Sequence, residues 1–362
     1  MSIEQTLVRF IKRYKMKIAF VIYNLSGGGA EKVVSLLSSE MSLNHEVNII
    51  NFDEGIDYKY GGDVINLNIP SSNNIFFKFY NILRRASRLS KLFKTKKYDK
   101  IFSFMESSNI PSIMVSNNVI VSVRNDPFKF DKITQFLIKV LYKKAKCVIV
   151  NSKENNEVLR KYFKLNNVEV IYNPLNIDDI QKNRKEKLDI NYKFILAIGR
   201  LDYQKGFDLL IKAYSQTVIK NDVKLLIFGE GKLKNDLHQL ISTLDLEENI
   251  FLMGKTNNPY KYMSQAEMFV LSSRHEGFPN VLVEAMACEC LVLATDCPTG
   301  PKEILQENKN GILVKNENIN ELTSMIDNFY YNTPKCEQIR LNALTYVKSL
   351  NVELIAKKWL EI

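Results

Sequence analysis

The chain has 362 residues, 46% hydrophobic and 25% charged, which suits two folded domains and excludes a disordered or fibrous protein. No apolar run reaches the roughly 18 residues of a membrane span, and the first residues lack the apolar core and small-residue cleavage site of a secretory signal. The net charge of +10 is uneven: residues 1–175 hold 27 Lys/Arg against 15 Asp/Glu, residues 176–362 hold 23 against 25. Such asymmetry points to an anionic contact, whether nucleic acid, lipid headgroups or a phosphorylated acceptor, although solubility alone accounts for it equally well.

Residues 1–15 read as a basic amphipathic extension, with Leu7, Phe10 and Ile11 on one side. They are either a membrane-contacting arm or an upstream start. Short apolar runs then predict strands at Lys17–Tyr23, Val47–Phe52, Ile101–Phe104, Val119–Val123, Cys147–Val150 and Val168–Ile171. A second series lies at Phe194–Ile198, Lys224–Phe228, Ile250–Met253, Met268–Leu271, Leu291–Ala294 and Ile312–Val314. Many lack alternation, as strands covered on both faces do, and amphipathic helical segments separate most of them. The prediction is an α/β protein with two Rossmann-like, doubly wound parallel sheets. The first domain covers residues 1–175 and the second 193–346, with a polar linker over 176–192. Helical segments over 334–346 and 352–361 are expected to pack back on the first domain, the final helix being assigned residues 347–362. Cys147, Cys288, Cys290, Cys297 and Cys336 form no CxxC pair and only three histidines are present. Free thiols in a reducing cytoplasm are expected, with neither zinc site nor disulfide framework.

Four segments carry the chemistry. Ser26–Lys32 (SGGGAEK) joins a strand to a helix; glycines allow close backbone approach, and amides at a helix start suit an anion or a sugar hydroxyl. It is not GxGxxG, so it signals no dinucleotide cofactor, and tight packing explains such a turn as well. Gly199–Gly206 (GRLDYQKG) follows a strand, with Arg200 as a bidentate cation and Lys205 as a mobile one. Ser272–Ala287 (SSRHEGFPNVLVEAMA) places Glu276 in a loop and Glu284 in the following helix, whose predicted first residue is Pro279. Amides near Gly277, Phe278, Pro279 and Asn280 suit a diphosphate, Glu276 a sugar hydroxyl and Glu284 a ribose diol. Glu284 sits among Val281, Leu282, Val283 and Ala285, where a buried carboxylate needs a partner. Asp296–Glu303 (DCPTGPKE) is expected to close the same pocket.

The fourth segment, residues 75–97, has eight basic residues and no acid. At about 100° per residue Arg84, Arg88 and Lys91 share one side, opposite Phe79, Ile82, Ala86, Leu89 and Phe93. An ordinary surface helix explains the apolar stripe but not the missing acids; docking on anionic lipid or gripping a lipid diphosphate explains both.

These motifs, with VRNDP at 123–127, VIYNP at 170–174 and FGEGKLKNDL at 228–237, resemble family 4 of the retaining glycosyltransferases, which have the GT-B fold of two Rossmann-like domains facing across a cleft. EGFPNVLVE has the family's E-x7-E pattern. The variant motifs look most like bacterial surface-polysaccharide enzymes, several of which use UDP-GalNAc, UDP-GlcNAc or UDP-galactose and extend lipid-diphosphate-linked oligosaccharides. The resemblance implies that Arg200 and Lys205 neutralise the departing diphosphate, with Glu276 on the donor sugar and Glu284 on the ribose. Gly28, Gly29, Gly277, Phe278, Pro279, Asn280 and Val281 would shape the donor site, with the base near Gly254 and Lys255. Arg84, Arg88, Lys91 and Arg124 fall to the acceptor or lipid side.

One departure stands out. Many members carry a histidine after the strand that here ends IFSF, where this chain has Met105-Glu106-Ser107-Ser108-Asn109; Glu106, Ser107 or Asn109 is the expected substitute. His45, before a strand, reads as structural. Apart from the UDP-sugar as donor substrate no cofactor is expected. No metal is expected either, since Asp178-Asp179 lies in the linker. The implied protein is a cytoplasmic enzyme, peripheral on the inner membrane face, taking a lipid-linked glycan acceptor. Rival readings are a related transferase with a soluble acceptor, a nucleotide-sugar epimerase, which would not show E-x7-E, and a nucleic-acid binder, which would show base-stacking aromatics that are missing here.

Overall fold

A computed structural model describes residues 15–72 and 74–362, excluding the side chains of residues 75, 76 and 333–335. The expectation for Leu7, Phe10 and Ile11 lies outside the described residues. The chain divides into two compact units: unit 1 ends at Pro174 and takes back Val352–Ile362, while unit 2 is Leu175–Asn351.

Unit 1 contains strands β1 (Lys17–Val21), β2 (Glu46–Asn51), β3 (Asp63–Asn66), β4 (Lys100–Phe104), β5 (Val119–Val123), β6 (Cys147–Val150) and β7 (Val168–Val170). All pair in parallel in the order β3-β2-β1-β4-β5-β6-β7. Every residue of β5 and β6 is buried, as expected of strands with helices on both faces. Sequence reading missed β3: it is a short edge strand with polar ends and no fully buried residue, so it has no apolar run to find. The helices are α1 (Gly29–Ser42), α2 (Ile75–Lys96), α3 (Glu106–Val115), α4 (Lys132–Leu141) and α5 (Lys153–Lys161).

Unit 2 repeats the scheme with β8 (Lys193–Ile198), β9 (Val223–Phe228), β10 (Ile250–Gly254), β11 (Met268–Leu271), β12 (Val292–Asp296) and β13 (Ile312–Lys315), all parallel in the order β10-β9-β8-β11-β12-β13. Its helices are α6 (Ile177–Asn183), α7 (Phe207–Ser215), α8 (Lys234–Thr243), α9 (Tyr260–Met263), α10 (Asn280–Ala287), α11 (Pro301–Leu305), α12 (Ile319–Tyr331) and α13 (Thr333–Lys348). Two expectations change here. The supposed linker contains α6, capped by Asn176 and tied to unit 2 by Gln181 donating to the Ala287 carbonyl at 2.8 Å. The segment around 334–346 is α13, which stays in unit 2: Asn342 donates to the Lys309 carbonyl at 3.0 Å and Cys336 and Ile339 join that unit's core. Only α14 (Val352–Glu361) belongs to unit 1.

The packing of α14 explains its return. Trp359 is fully buried, edge-on to Phe102 and stacked on Phe104, both with ring centroids at 5.2 Å. Losing such a ring costs about 3–5 kcal/mol, so α14 is part of the unit 1 core.

In each sheet the strand order reverses once, between β1 and β4 and between β8 and β11. Loops leaving the carboxyl ends of such neighbours diverge to opposite faces and leave a crevice where open α/β sheets hold ligands. The Gly-rich turn follows β1, the 199–206 loop follows β8, and the 272–279 loop follows β11.

Candidate donor and acceptor sites

In unit 2 the two switch-point loops are bound to each other. Arg274 N–H donates to the Gln204 carbonyl at 2.8 Å, Gln204 Nε2 to the His275 carbonyl at 2.9 Å, and Ser272 Oγ to the Lys205 carbonyl at 2.9 Å. This contact requires Gly206, at φ +63°, because a Cβ there would lie 2.2 Å from the Ser272 carbonyl oxygen. With the loops docked, Lys205 Nζ meets Glu276 Oε1 at 2.6 Å, and Ser273 Oγ donates to the same oxygen at 2.6 Å. Their side chains are 15% and 7% exposed, so the pair is largely out of water. Sequence reading gave these residues separate tasks, phosphate for Lys205 and sugar for Glu276. The structure brings them together across 71 positions.

Arg274 does the most to fix this geometry and was missed. Its side chain, 9% exposed, forks onto Asp208 at 2.8 and 2.7 Å, donates to Glu317 at 2.8 Å and to the Tyr203 carbonyl at 2.9 Å, and stacks over the Tyr203 ring. The 199–206 loop, the first turn of α7 and the loop after β13 thus converge on one planar cation, a use suited to guanidinium and not to ammonium. The only available signal was its place inside the motif, between Ser273 and Glu276.

Arg200, by contrast, is 67% exposed, reaching Asp202 Oδ2 and Gln204 Oε1 at 3.2 Å each. Pro279 caps α10 where sequence reading made it the first helical residue; Asn280 and Val281 begin the helix, and Glu284 is buried within it. The Glu276 amide donates to the Pro298 carbonyl at 3.0 Å, and Thr299 Oγ1 bonds the Glu276 carbonyl, so the 296–303 segment does close on the 272–279 loop. Gly277 and Phe278 lie between these anchors. Gly254 ends β10 at φ +70°, its carbonyl accepting from the Gly229 amide at 2.8 Å, and Lys255 beyond it is exposed. Among the described residues no group of three or more His, Cys, Asp or Glu is arranged to hold a metal. All five cysteines are free and buried.

In unit 1 Gly28 caps α1 and Gly29 is its first residue. The Glu31 carboxylate folds over Gly28, occupying the space a Cβ would take, and burial raises its pKa. His45 is buried, its Nδ1 accepting from the Met16 amide at 3.4 Å, a structural role as expected. Arg124 lies buried under the Phe104 and Trp359 rings and bonds Asn173 Oδ1, joining VRNDP to VIYNP. Its Nε and Nη2 have no protein partner, and burial lowers its pKa to about 9.

The proposed substitutes for the missing histidine are not alike. Glu106 and Asn109 are buried, Asn109 Nδ2 donating to the Ser122 carbonyl at 2.9 Å. Burial raises the Glu106 carboxyl to about 7 against the weaker pull of its own amide, and its Oε1 has no partner. Ser107 is exposed. On α2, Arg84, Arg88 and Lys91 face solvent, as expected. Phe79, expected on the core side, is 66% exposed instead, because the first two turns of α2 extend past the body of the unit. Arg85, one of the eight basic residues of this segment, is buried: it donates to the Ile69 carbonyl at 2.8 and 3.1 Å and to that of Ser107 at 3.2 Å, over the Phe52 ring.

Comparison with known proteins places this geometry. The profile of "Glycosyltransferase Family 4" matches residues 27–179 and that of "Glycosyl transferases group 1" residues 178–345. Over 323 residues the chain is 36% identical to the N-acetylgalactosamine-N,N'-diacetylbacillosaminyl-diphospho-undecaprenol 4-alpha-N-acetylgalactosaminyltransferase of Campylobacter jejuni, covering 84% of this chain and 88% of that one. The chain is a family 4 glycosyltransferase. A second Campylobacter jejuni relative, named as an alpha-1,4-N-acetyl-D-galactosaminyltransferase acting on a diNAcBac-PP-undecaprenol glycan, is 25% identical over 360 residues, 96% of this chain and 98% of the relative. Among solved structures, Anabaena Alr3699/HepE in complex with UDP and glucose superposes at TM-score 0.79 with 21% identity over 96% of this chain and 98% of that one. That likeness establishes the GT-B fold of the glycosyltransferase. No helix among its described residues is long and apolar enough to cross a membrane.

Proposed function

We propose that this glycosyltransferase moves a hexose or N-acetylhexosamine from a UDP-sugar to a lipid-diphosphate-linked glycan in bacterial capsule, lipopolysaccharide or glycoprotein glycan assembly, with retention and without a metal. The observation that carries the reading is the buried Lys205–Glu276 pair at the β8/β11 switch point.

Cleavage of the anomeric bond builds negative charge on the β-phosphate. Lys205, Arg200 and the start of α10 stabilise it, and preplaced charge is effective where little water competes. Glu276 holds Lys205 in place and offers its other carboxylate oxygen to a sugar hydroxyl, while Glu284 takes the ribose. The acceptor hydroxyl attacks the anomeric carbon from the face that UDP leaves and gives its proton to a departing phosphate oxygen, so configuration is kept. On the acceptor side Arg124 holds two unpartnered guanidinium nitrogens, Nε and Nη2, and Arg84, Arg88 and Lys91 meet lipid phosphates at the inner membrane face.

A panel of UDP- and GDP-sugars, followed for slow donor hydrolysis with Glu276→Ala as control, tests the donor half. If no nucleotide sugar binds or turns over, the central claim fails. Transfer to a short soluble alcohol as fast as to a detergent-dispersed polyprenyl-diphosphate glycan would favour the soluble-acceptor reading.

A further inference from the structure

Behind Glu276 stand three buried hydroxyls that the proposed chemistry leaves unused, those of Ser273, Thr295 and Thr299. Ser273, two residues past β11, is fully buried; Thr295 near the end of β12 and Thr299 in the following turn are buried as well. Ser273 Oγ donates to Glu276 Oε1 at 2.6 Å, the oxygen that also faces Lys205. Thr295 Oγ1 donates to the Ser273 carbonyl at 2.5 Å, and Thr299 Oγ1 donates to the Glu276 carbonyl. The Glu276 amide is held by the Pro298 carbonyl at 3.0 Å. Its amide, carbonyl and Oε1 are thus all engaged, and Oε2 has no hydrogen bond among the described residues.

This arrangement gives the carboxylate one orientation. A carboxylate oxygen accepts about two hydrogen bonds, and Lys205 with Ser273 fills Oε1. A half-turn that exchanged the two oxygens would break both bonds. Because Ser273 is neutral, it adds direction without a second cation that would draw Oε2 away from a ligand. The backbone is held at a cost. Thr299 lies at φ +59°, a left-handed conformation that is an outlier for a β-branched residue. Gly or Asn would adopt that φ with less strain, but neither carries a hydroxyl on Cβ to reach the Glu276 carbonyl. Strain of this kind is kept where the surrounding structure fixes a functional geometry.

We infer that Ser273, Thr295 and Thr299 are positioning residues whose hydroxyls hold Glu276 in the single orientation it needs during sugar transfer. The inference rests on the proposed role of Glu276 at the donor sugar and names the groups that set it. Thr295 and Thr299 act on the backbone of the 272–279 loop, and Ser273 acts on the oxygen turned toward Lys205. A sugar hydroxyl then meets Oε2, whose place is fixed from behind, and a small error in that place is costly in rate. If these residues only filled space and closed the loop, their shape would matter and their oxygens would not.

The test uses the full chain, with hydrolysis of UDP-GalNAc, UDP-GlcNAc and UDP-galactose followed in parallel, UDP binding by calorimetry and thermal unfolding. Thr295→Val keeps the shape and removes the hydroxyl. It is expected to lower kcat about tenfold, with KM and the Kd for UDP within about twofold of the parent. Thr295→Ser keeps the hydroxyl and loses a buried methyl, so it is expected to unfold at lower temperature yet recover most of kcat. Ser273→Ala is expected to lose as much as Thr295→Val, and the two together little more, because both act on one orientation. A packing role predicts the reverse order, Thr295→Ser impaired and Thr295→Val like the parent, and that result overturns the inference. So does a loss confined to KM, or a Ser273→Ala variant that turns over like the parent. Should Thr295→Val fail to fold, Thr299→Val set against Thr299→Ser makes the same comparison. A parent that hydrolyses none of the three sugars sinks the donor reading and the inference with it. A parent that hydrolyses one, matched by its Val and Ala variants, sinks the inference alone.

Discussion

The two α/β units share one topology but treat charge in opposite ways. In unit 2 the cations of the site are already engaged, Lys205 by Glu276 and Arg274 by Asp208 and Glu317. In unit 1 Arg84, Arg88 and Lys91 stand in solvent, and Arg124 and Glu106 keep buried polar atoms without partners. A buried polar group without a partner costs about 1–3 kcal/mol. The candidate site residues of unit 2 are thus tied to one another, whereas those of unit 1 include buried polar atoms with no protein partner.

If unit 2 is preorganised, its loss should be kinetic. Lys205→Met is expected to lower kcat/KM by about 10²–10³, the usual effect of removing one preplaced charge, and to lower unfolding stability as well, because the Glu276 carboxylate stays buried without its cation. A loss shared equally by Arg200→Met would blur the contrast between a buried and an exposed cation. Arg274→Lys should cost about 10–10² in kcat/KM, because an ammonium cannot fork onto Asp208 while stacking on Tyr203. Full activity in that variant would mean that the 272–276 loop is positioned without the clamp.

If unit 1 carries unmet polar cost, relieving it should raise stability. Glu106 has a pKa near 4.5 unfolded and about 7 folded. At pH 4 both states hold the proton and no penalty exists. Between 4.5 and 7 only the unfolded chain releases it, so stability falls as pH rises. Denaturant titrations of Glu106→Gln should match the parent at pH 4 and exceed it by about 1–3 kcal/mol at pH 8. A constant difference across that range would show that Glu106 does not titrate as described. The smallest effect belongs to a single surface cation. Arg88→Gln should weaken partition onto phosphatidylglycerol vesicles by about 1 kcal/mol, with no change in donor hydrolysis.

Much of this was legible in the sequence. Strands covered on both faces leave runs such as VIVSV and CVIV, and the motif loops fall where a parallel sheet must put them. What stayed hidden was whatever depends on contacts far apart in the chain. The edge strand β3 has no apolar run, because the sheet's neighbour and not its own side chains hold it. Arg85 falls at the border between the basic and apolar sides of its helix, and only its distant partners show that it is buried while Arg88 is in water. The Lys205–Glu276 pair spans 71 positions, and Phe79 follows the core-side pattern of a helix whose first turns have no core beneath them.

The place of Trp359 has a consequence for how the protein is made. Phe102 and Phe104 leave the ribosome long before the helix that covers them, with the whole of unit 2 synthesised in between. Domains emerging in order usually close in order. Here the unit begun first is finished last, and until α14 arrives its sheet shows two uncovered aromatic rings beside a buried-site arginine. Unit 2, whose core cluster from Ile195 to Ile339 uses only its own residues, is free to fold meanwhile. The nascent chain thus has a long interval in which unit 2 is complete and unit 1 is an open-faced sheet, the stage at which chaperone dependence or misassembly should concentrate.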